Sequence, residues 1–400
     1  MVIDMPRVIV IALFLSFVTA GVGIADLEEG LSMSSTSRYS AWRNGPSTDP
    51  GYFPLCVWMQ NPSLASDYGA LGINTYIGLW EGPTEDQLAM LRKAGMRVFC
   101  EMNETGRRHL DDPTIAGWMH SDEPDNAQPR PEGGWGEAIP TKRIIDEYQR
   151  WRDEDPTRPV LINLGQQVAN DEWYGRGCEI TAYPEYVKGA DIVSYDIYPI
   201  AGVDEGGVER VWLVAKGLDR LARWSRGEKV IWNALECGQI SRPGHKPTPE
   251  QLRSEVWMSI IHGSTGIIYF VHQFEPDFDE AALLANPEMS ATVKATNQEI
   301  LDLAPVLNSP TAEDAAVVSS SDPLVPIDLM AKQYGGATYV FAVGMRNLET
   351  NGRFRIPGVR NGTVEVLGES RALQMDGREF QDAFGPYGVH IYKVSPPTGK

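Results

Sequence analysis

The chain has 400 residues, room for one large domain and a smaller one, and its 42% apolar and 22% charged content is ordinary for a soluble globular protein. Its formal net charge of −19 argues against a nucleic-acid or anionic-membrane partner, because phosphate contacts need basic patches and none is visible. A neutral sugar substrate is compatible with that charge.

Residues 1–25 read as a secretory signal. Arg7 precedes an apolar run from Val8 to Val18, and small residues follow at Thr19, Ala20, Gly21 and Ala25. The run is short for a membrane span, so a secreted or periplasmic protein is expected, with no membrane partner beyond the signal segment. Cys56 and Cys100 lie in apolar strand-like runs, Cys178 in a Gly-rich loop and Cys237 directly after Glu236, which predicts free thiols rather than a disulfide framework.

Residues 26–51 are rich in Ser, Thr, Asn and Pro and read as a linker or a surface strap. From residue 52 strands and helices alternate. Strands are predicted at 53–59, 72–79, 96–101, 115–123, 159–164, 191–198, 230–236 and 266–271. Helices are predicted at 63–71, 84–94, 141–154, 207–226, 249–262 and 292–307. The second helix opens on T-E-D-Q, with a threonine cap and Gln87 three residues on, and closes at Gly95. This alternation predicts a (β/α)8 barrel over 52–310. Beyond Ser309 short strands separated by Gly335-Gly336, Asn351-Gly352, Asn361-Gly362 and Asp376-Gly377 predict a small antiparallel β-sandwich over 311–400.

Barrel active sites lie at the C-terminal strand ends. Two apolar runs end there in a glutamate. I-A-G-W-M-H-S-D-E-P-D-N carries Asp122 and Glu123, and V-I-W-N-A-L-E-C-G-Q carries Glu236. The other strand ends supply Trp80, Glu101, Gln166, Tyr198, His272 and Gln273. Amides and carboxylates bond hydroxyls, and aromatic faces cover the C–H face of a sugar ring. In S-Y-D-I-Y-P, Ser194, Asp196 and Tyr198 share one face, expected to point into the barrel, with Val193, Tyr195 and Ile197 on the other. The Pro- and Gly-rich stretch 124–140 carries Trp135 and could close over a bound sugar. Trp135 and Trp173 join Trp80 as stacking candidates, while Trp118, Trp232 and Trp257 read as core.

D-E-P on the fourth strand, and an apolar run ending in glutamate on the seventh, resemble the clan A retaining glycoside hydrolases of the beta-galactosidase and cellulase-like kind. The opening F-P-L-C-V-W…G-I-N-T-Y-I-G-L-W-E…A-G-M-R-V resembles theirs too. The resemblance implies that Glu123 is the general acid/base and Glu236 the nucleophile, about 5–5.5 Å apart, in a double displacement on an oligo- or polysaccharide. Two departures stand out: Asp122 where the family has Asn, and His272-Gln273-Phe274 where many members have Trp. A transglycosylase and a catalytically silent sugar-binding barrel are the rival readings. The six histidines form no zinc spacing, and no G-x-S-x-G or P-loop occurs, so neither a metal nor another cofactor is expected.

Overall fold

The structure, a computed structural model, describes residues 37–172, 177–202, 210–242 and 244–397. The expected signal segment, residues 26–36 of the expected linker, and Trp173 lie outside the described residues. Parallel strands β1 (Leu55–Trp58), β2 (Thr75–Ile77), β3 (Arg97–Cys100), β4 (Ile115–Met119), β5 (Val160–Leu164) and β6 (Ile192–Tyr195) pair in sequence order. β7 comes in two pieces, Val230–Ile231 and Asn233–Glu236, and β8 spans Ile267–Phe270. The first piece of β7 pairs with β6, the second with β8, and β8 pairs with β1, so the barrel closes. Around it run α1 (Ala65–Ala70), α2 (Glu85–Ala94), α3 (Glu104–Arg108), α4 (Thr141–Glu154), α5 (Tyr183–Tyr186), α6 (Leu213–Trp224), α7 (Pro249–Ile261), α8 (Ala282–Ala285) and α9 (Pro287–Leu307).

The barrel interior is packed by Cys56, Ile77, Phe99, Leu161, Trp232 and Ile268. Trp232 lies between the two pieces of β7, its backbone N–H donating to the Val193 carbonyl at 3.0 Å. Its indole turns inward against Phe99, ring centroids 5.2 Å apart, and its Nε1 donates to the Tyr39 hydroxyl at 3.1 Å. Two glycines make room for these rings. A Cβ at Gly117 would lie 2.0 Å from the Phe99 ring, and one at Gly266 would lie 2.7 Å from the Trp232 indole. The described part of the expected linker or surface strap is largely exposed but anchored at Tyr39, Gly45 and Pro46, which are buried. Tyr39 is buried among the interior residues and its hydroxyl donates to the Thr265 carbonyl at 3.0 Å, so residues 37–51 close the N-terminal end of the barrel. An aromatic in a polar stretch is the residue whose burial draws the backbone in.

Three expected strands stop early. β4 ends at Met119 rather than Glu123, β6 at Tyr195 rather than Tyr198, and β2 is shorter at both ends. The expected helix over 207–226 is described only from Leu213 to Trp224. The helix predicted at 84–94 has its capping box, with Thr84 and Gln87 satisfying each other's backbone N–H, and Gly95 closes it at φ 70°.

The β domain has two antiparallel sheets. β10 (Ile327–Tyr334), β11 (Ala337–Gly344), β13 (Thr363–Val366), β14 (Arg371–Gln374) and β16 (Val389–Ser395) lie in the order β10-β11-β16-β13-β14. β9 (Val317–Ser320), β12 (Thr350–Arg355) and β15 (Glu379–Phe384) lie in the order β9-β12-β15. The sequence pattern did not reveal β15. Phe341, Val343 and Ile391 of the larger sheet join the barrel's outer core, while Val340, Ala342 and Tyr392 face the smaller sheet. Among the described residues no helix is long and apolar enough to cross a membrane.

Candidate active site

Past Met119 the chain leaves β4 and turns sharply, with Glu123 at φ 40°, a left-handed conformation that costs a glutamate energy. Asn126 Nδ2 donates to Glu123 Oε2 at 2.8 Å, and Gln128 Nε2 donates to the Glu123 carbonyl at 3.0 Å. A Cβ at Gly165 would lie 2.8 Å from Glu123 Oε1, so the end of β5 must be bare there. Asp125 ties the two strand ends together. It is buried and accepts from Gly165 N at 3.0 Å and from the Tyr183 hydroxyl at 2.8 Å.

A second carboxyl comes from just beyond β6. Asp196 stands beside the Glu123 carboxyl and interacts with it. Asn163, the lone polar side chain within β5, donates Nδ2 to Asp122 Oδ1 at 3.0 Å and, more weakly, to Asp196 Oδ2 at 3.4 Å. Its amide is oriented by Ser194, whose hydroxyl donates to Asn163 Oδ1 at 2.8 Å. Tyr198 donates to Asp196 Oδ2 at 3.0 Å. The face Ser194–Asp196–Tyr198 thus points into the site, as the alternation predicts, while Val193, Tyr195 and Ile197 join the outer core.

These contacts make one charge-sharing cluster. Burial first, then the charges of Glu123 and Asp122, push the Asp196 carboxyl well above the ordinary carboxylate range, against the pull of Tyr198. Asp122 keeps contact with solvent but sits where surrounding protein displaces water, and that displacement plus the Glu123 charge raises it to about 7. Burial likewise raises Asp125 to about 7, against its Gly165 and Tyr183 bonds.

Aromatic rings flank the cluster. Tyr198 packs on Phe270 with centroids 5.1 Å apart, Phe270 on His272 at 4.9 Å, and His272 on Phe278 at 6.0 Å and Trp80 at 6.2 Å. The outer members are open: Trp80 is 49% exposed, Phe274 46% and Phe278 58%. Gln273 pairs with Asp279 to form the hairpin that presents Phe274 and Phe278, and Gln87 of α2 donates to the Trp80 carbonyl at 2.8 Å. His272 is buried, and burial lowers it to about 4, so it is neutral near pH 7, with Gln60 Nε2 3.3 Å from its Nε2.

The remaining expected site residues are spread more widely. Glu101 is exposed past the end of β3, Gln166 is half-buried and accepts from Asn170, and Trp135 sits 53% exposed on the excursion 128–137. Glu236 ends β7 with no exposed atom. Its Oε1 accepts from Ile200 N at 2.8 Å and its Oε2 from Ala201 N at 2.7 Å, and its carboxyl neighbour is Glu255 of α7. Tyr198, one of the strand-end candidates, donates to Asp196. Sequence reasoning placed Asp196 on the inward face without giving it a role, and passed over Asn163, Asp125 and Asn126. Asn163 did leave a signal, as one amide inside the apolar run V-L-I-N-L.

No protein-family model matches the chain, and no curated protein matches it in sequence. Among solved structures it is similar to a Bacteroides fragilis protein proposed to be an alpha-galactosidase/melibiase. That match has 10% identity and a TM-score of 0.55, over 86% of this chain and 79% of the other. It is also similar to alpha-galactosidase I from Mortierella vinacea, at 10% identity and a TM-score of 0.50, over 87% of this chain and 98% of that one. What they share is the fold. The chain is a (β/α)8 barrel followed by an antiparallel β-sandwich domain.

Proposed function

We propose that the protein is a glycoside hydrolase whose reacting groups are Glu123 and Asp196. The observation that carries this reading is the meeting of two carboxyls, Glu123 and Asp196, at the C-terminal strand ends, beside an exposed aromatic wall. Environments that separate two neighbouring carboxyls into an acid and a base also assign their roles. Asp196, buried and pushed up, takes the part of the acid; Glu123, reached by solvent and bonded by the Asn126 amide, takes the part of the nucleophile. A pyranose entering over Trp80, Phe274 and Phe278 parts the pair to about 5–5.5 Å, the separation of retaining enzymes. Glu123 attacks the anomeric carbon as the glycosidic C–O bond breaks, and the leaving oxygen takes the Asp196 proton. Asp196, now ionised and bonded by Tyr198 and Asn163, deprotonates the water that displaces Glu123.

A second reading keeps Glu123 as acid/base and gives the attack to Glu236. The two backbone N–H groups that donate to Glu236 favour it, since such bonds stabilise the charged form, and its complete burial opposes it. A mechanism-based glycosyl trap followed by peptide mass spectrometry separates the two. A label on Glu123 supports the first reading and a label on Glu236 the second. No label and no turnover across an oligosaccharide panel would leave a sugar-binding barrel. Export belongs to the same proposal, and N-terminal sequencing of secreted protein should find residues 1–25 removed.

A further inference from the structure

Glu255 is the least explained charged group among the described residues. It lies on α7, with no exposed surface, and its carboxyl oxygens are sealed from water. No described group donates a hydrogen bond to them, and the group set against them is another carboxyl, that of Glu236. Glu236 is equally buried and already takes two backbone N–H bonds, from Ile200 and Ala201. Two ionised carboxylates in contact inside a protein would repel each other with no solvent to screen them. The conflict disappears if one proton lies between them. It belongs on Glu255, because Glu236 is the oxygen pair stabilised by donors.

We propose that Glu255 is a positioning residue, protonated in the folded protein, which donates a hydrogen bond to Glu236 while Glu236 clamps the backbone of Ile200 and Ala201. The clamp matters because of what it holds. Ala201 lies three residues beyond Tyr198, the donor to Asp196, and Gly202 N bonds back to the Tyr198 carbonyl at 2.8 Å. The Ala201 carbonyl in turn accepts from Ser241 N and Arg242 N, which joins the segments after β6 and β7. A glutamate that resembles a nucleophile in the sequence therefore fixes the turn that aims Tyr198.

The other titratable groups around Glu255 do not supply a counter-charge. Cys237, directly after β7, and Tyr195 of β6 are both buried, and burial pushes both up, so both stay neutral. Tyr195 spends its hydroxyl on the Leu213 and Val214 carbonyls. The nearby cations are engaged elsewhere: Arg253 of α7 with Glu299 of α9, and Arg220 of α6 with Asp171. Burial, then the Glu236 charge, accordingly holds the Glu255 carboxyl well above its ordinary range.

Thermal unfolding followed from about pH 5 to about pH 8 tests the proposal on wild type, Glu255→Gln and Glu255→Leu. An acid protonated only in the folded state favours folding at low pH and loses that advantage as pH rises. Gln donates an N–H as the protonated acid donates its O–H, without needing a proton. The Glu255→Gln midpoint should therefore gain on wild type by several degrees across that range, being closest to it at the acid end. The Leu variant should show the same flattened pH slope but lose the clamp. Its Tyr198 environment should change, read as a weaker response of Tyr198 to an active-site ligand or trap than in the Gln variant. A Glu255→Gln protein displaced downward by the same amount at every pH, or unable to fold, would overturn the proposal. None of these melting curves depends on glycosidase activity, so the proposal stands or falls apart from that reading.

Discussion

At the scale of single residues, the roles of Glu123 and Asp196 predict different chemical defects. Asp196→Ala removes proton donation, so turnover of substrates with ordinary sugar leaving groups should fall by about 10²–10⁴-fold. An activated phenol leaving group needs no proton and should still glycosylate Glu123. That intermediate should then stall until azide, which needs no deprotonation, releases it with retained configuration. Glu123→Ala should abolish turnover of both substrate types, and azide entering its space should give product of inverted configuration. Product stereochemistry by NMR reads both outcomes; exchanged stereochemistries would restore Glu123 to the acid role. Gly165→Ala probes the same group from outside. Its Cβ would press on Glu123 Oε1 at 2.8 Å, so activity should drop well below wild type while the melting temperature moves little.

At the scale of elements, periodicity made the helices and most strands legible, because an apolar stripe or run reports burial directly. α4 spans Thr141–Glu154 as the charged amphipathic pattern predicts, and the threonine capping box at Thr84 forms. Strand ends were harder to place, since pairing stops where geometry fails and not where composition changes. The apolar rhythm of β4 thus seemed to carry to Glu123, although backbone pairing ends at Met119 and the carboxyls ride on the turn beyond. β15 escaped notice because Glu379, Gln381 and Asp382 hide the alternation of its buried Phe380 and Phe384. The meeting of Glu123 and Asp196 depends on contact between strands, which no single segment encodes. One element-level prediction follows from the β8 hairpin. Phe278 is 58% exposed at the outer end of the aromatic wall, so Phe278→Ala should fold normally. It should raise KM several-fold and leave kcat unchanged, because the lost stacking serves ground state and transition state alike. A fall in kcat with KM unaltered would remove the aromatic wall from sugar binding.

At the scale of the whole molecule, α7 joins the two layers of function. One side carries Glu255 towards the barrel; another carries Trp257, stacked on Phe341 of β11 with centroids 5.5 Å apart, and Ser254, whose hydroxyl donates to the Tyr387 carbonyl. Directly after α7, His262 bridges α6 and the β domain, 2.9 Å from Asp219 Oδ1 and 3.2 Å from Asp328 Oδ2. Burial alone would lower this histidine, but the two carboxylates outweigh it and raise it to about 9. A histidine whose folded value exceeds its unfolded value of about 6.5 stabilises the fold most fully below that value. That contribution then drains away as pH climbs through about 9. Asp328→Asn removes one of the two charges. Its melting temperature should lie below that of wild type near pH 6, and the two should converge above about pH 9 as the wild-type histidine loses its proton. Because Asp328 sits on β10, the same variant should loosen the β domain against α6 first, seen as faster amide exchange in β10 and β11 before the barrel strands respond. A constant gap between the two melting curves at every pH would mean that Asp328 acts by packing and that the histidine bridge carries no charge across the seam.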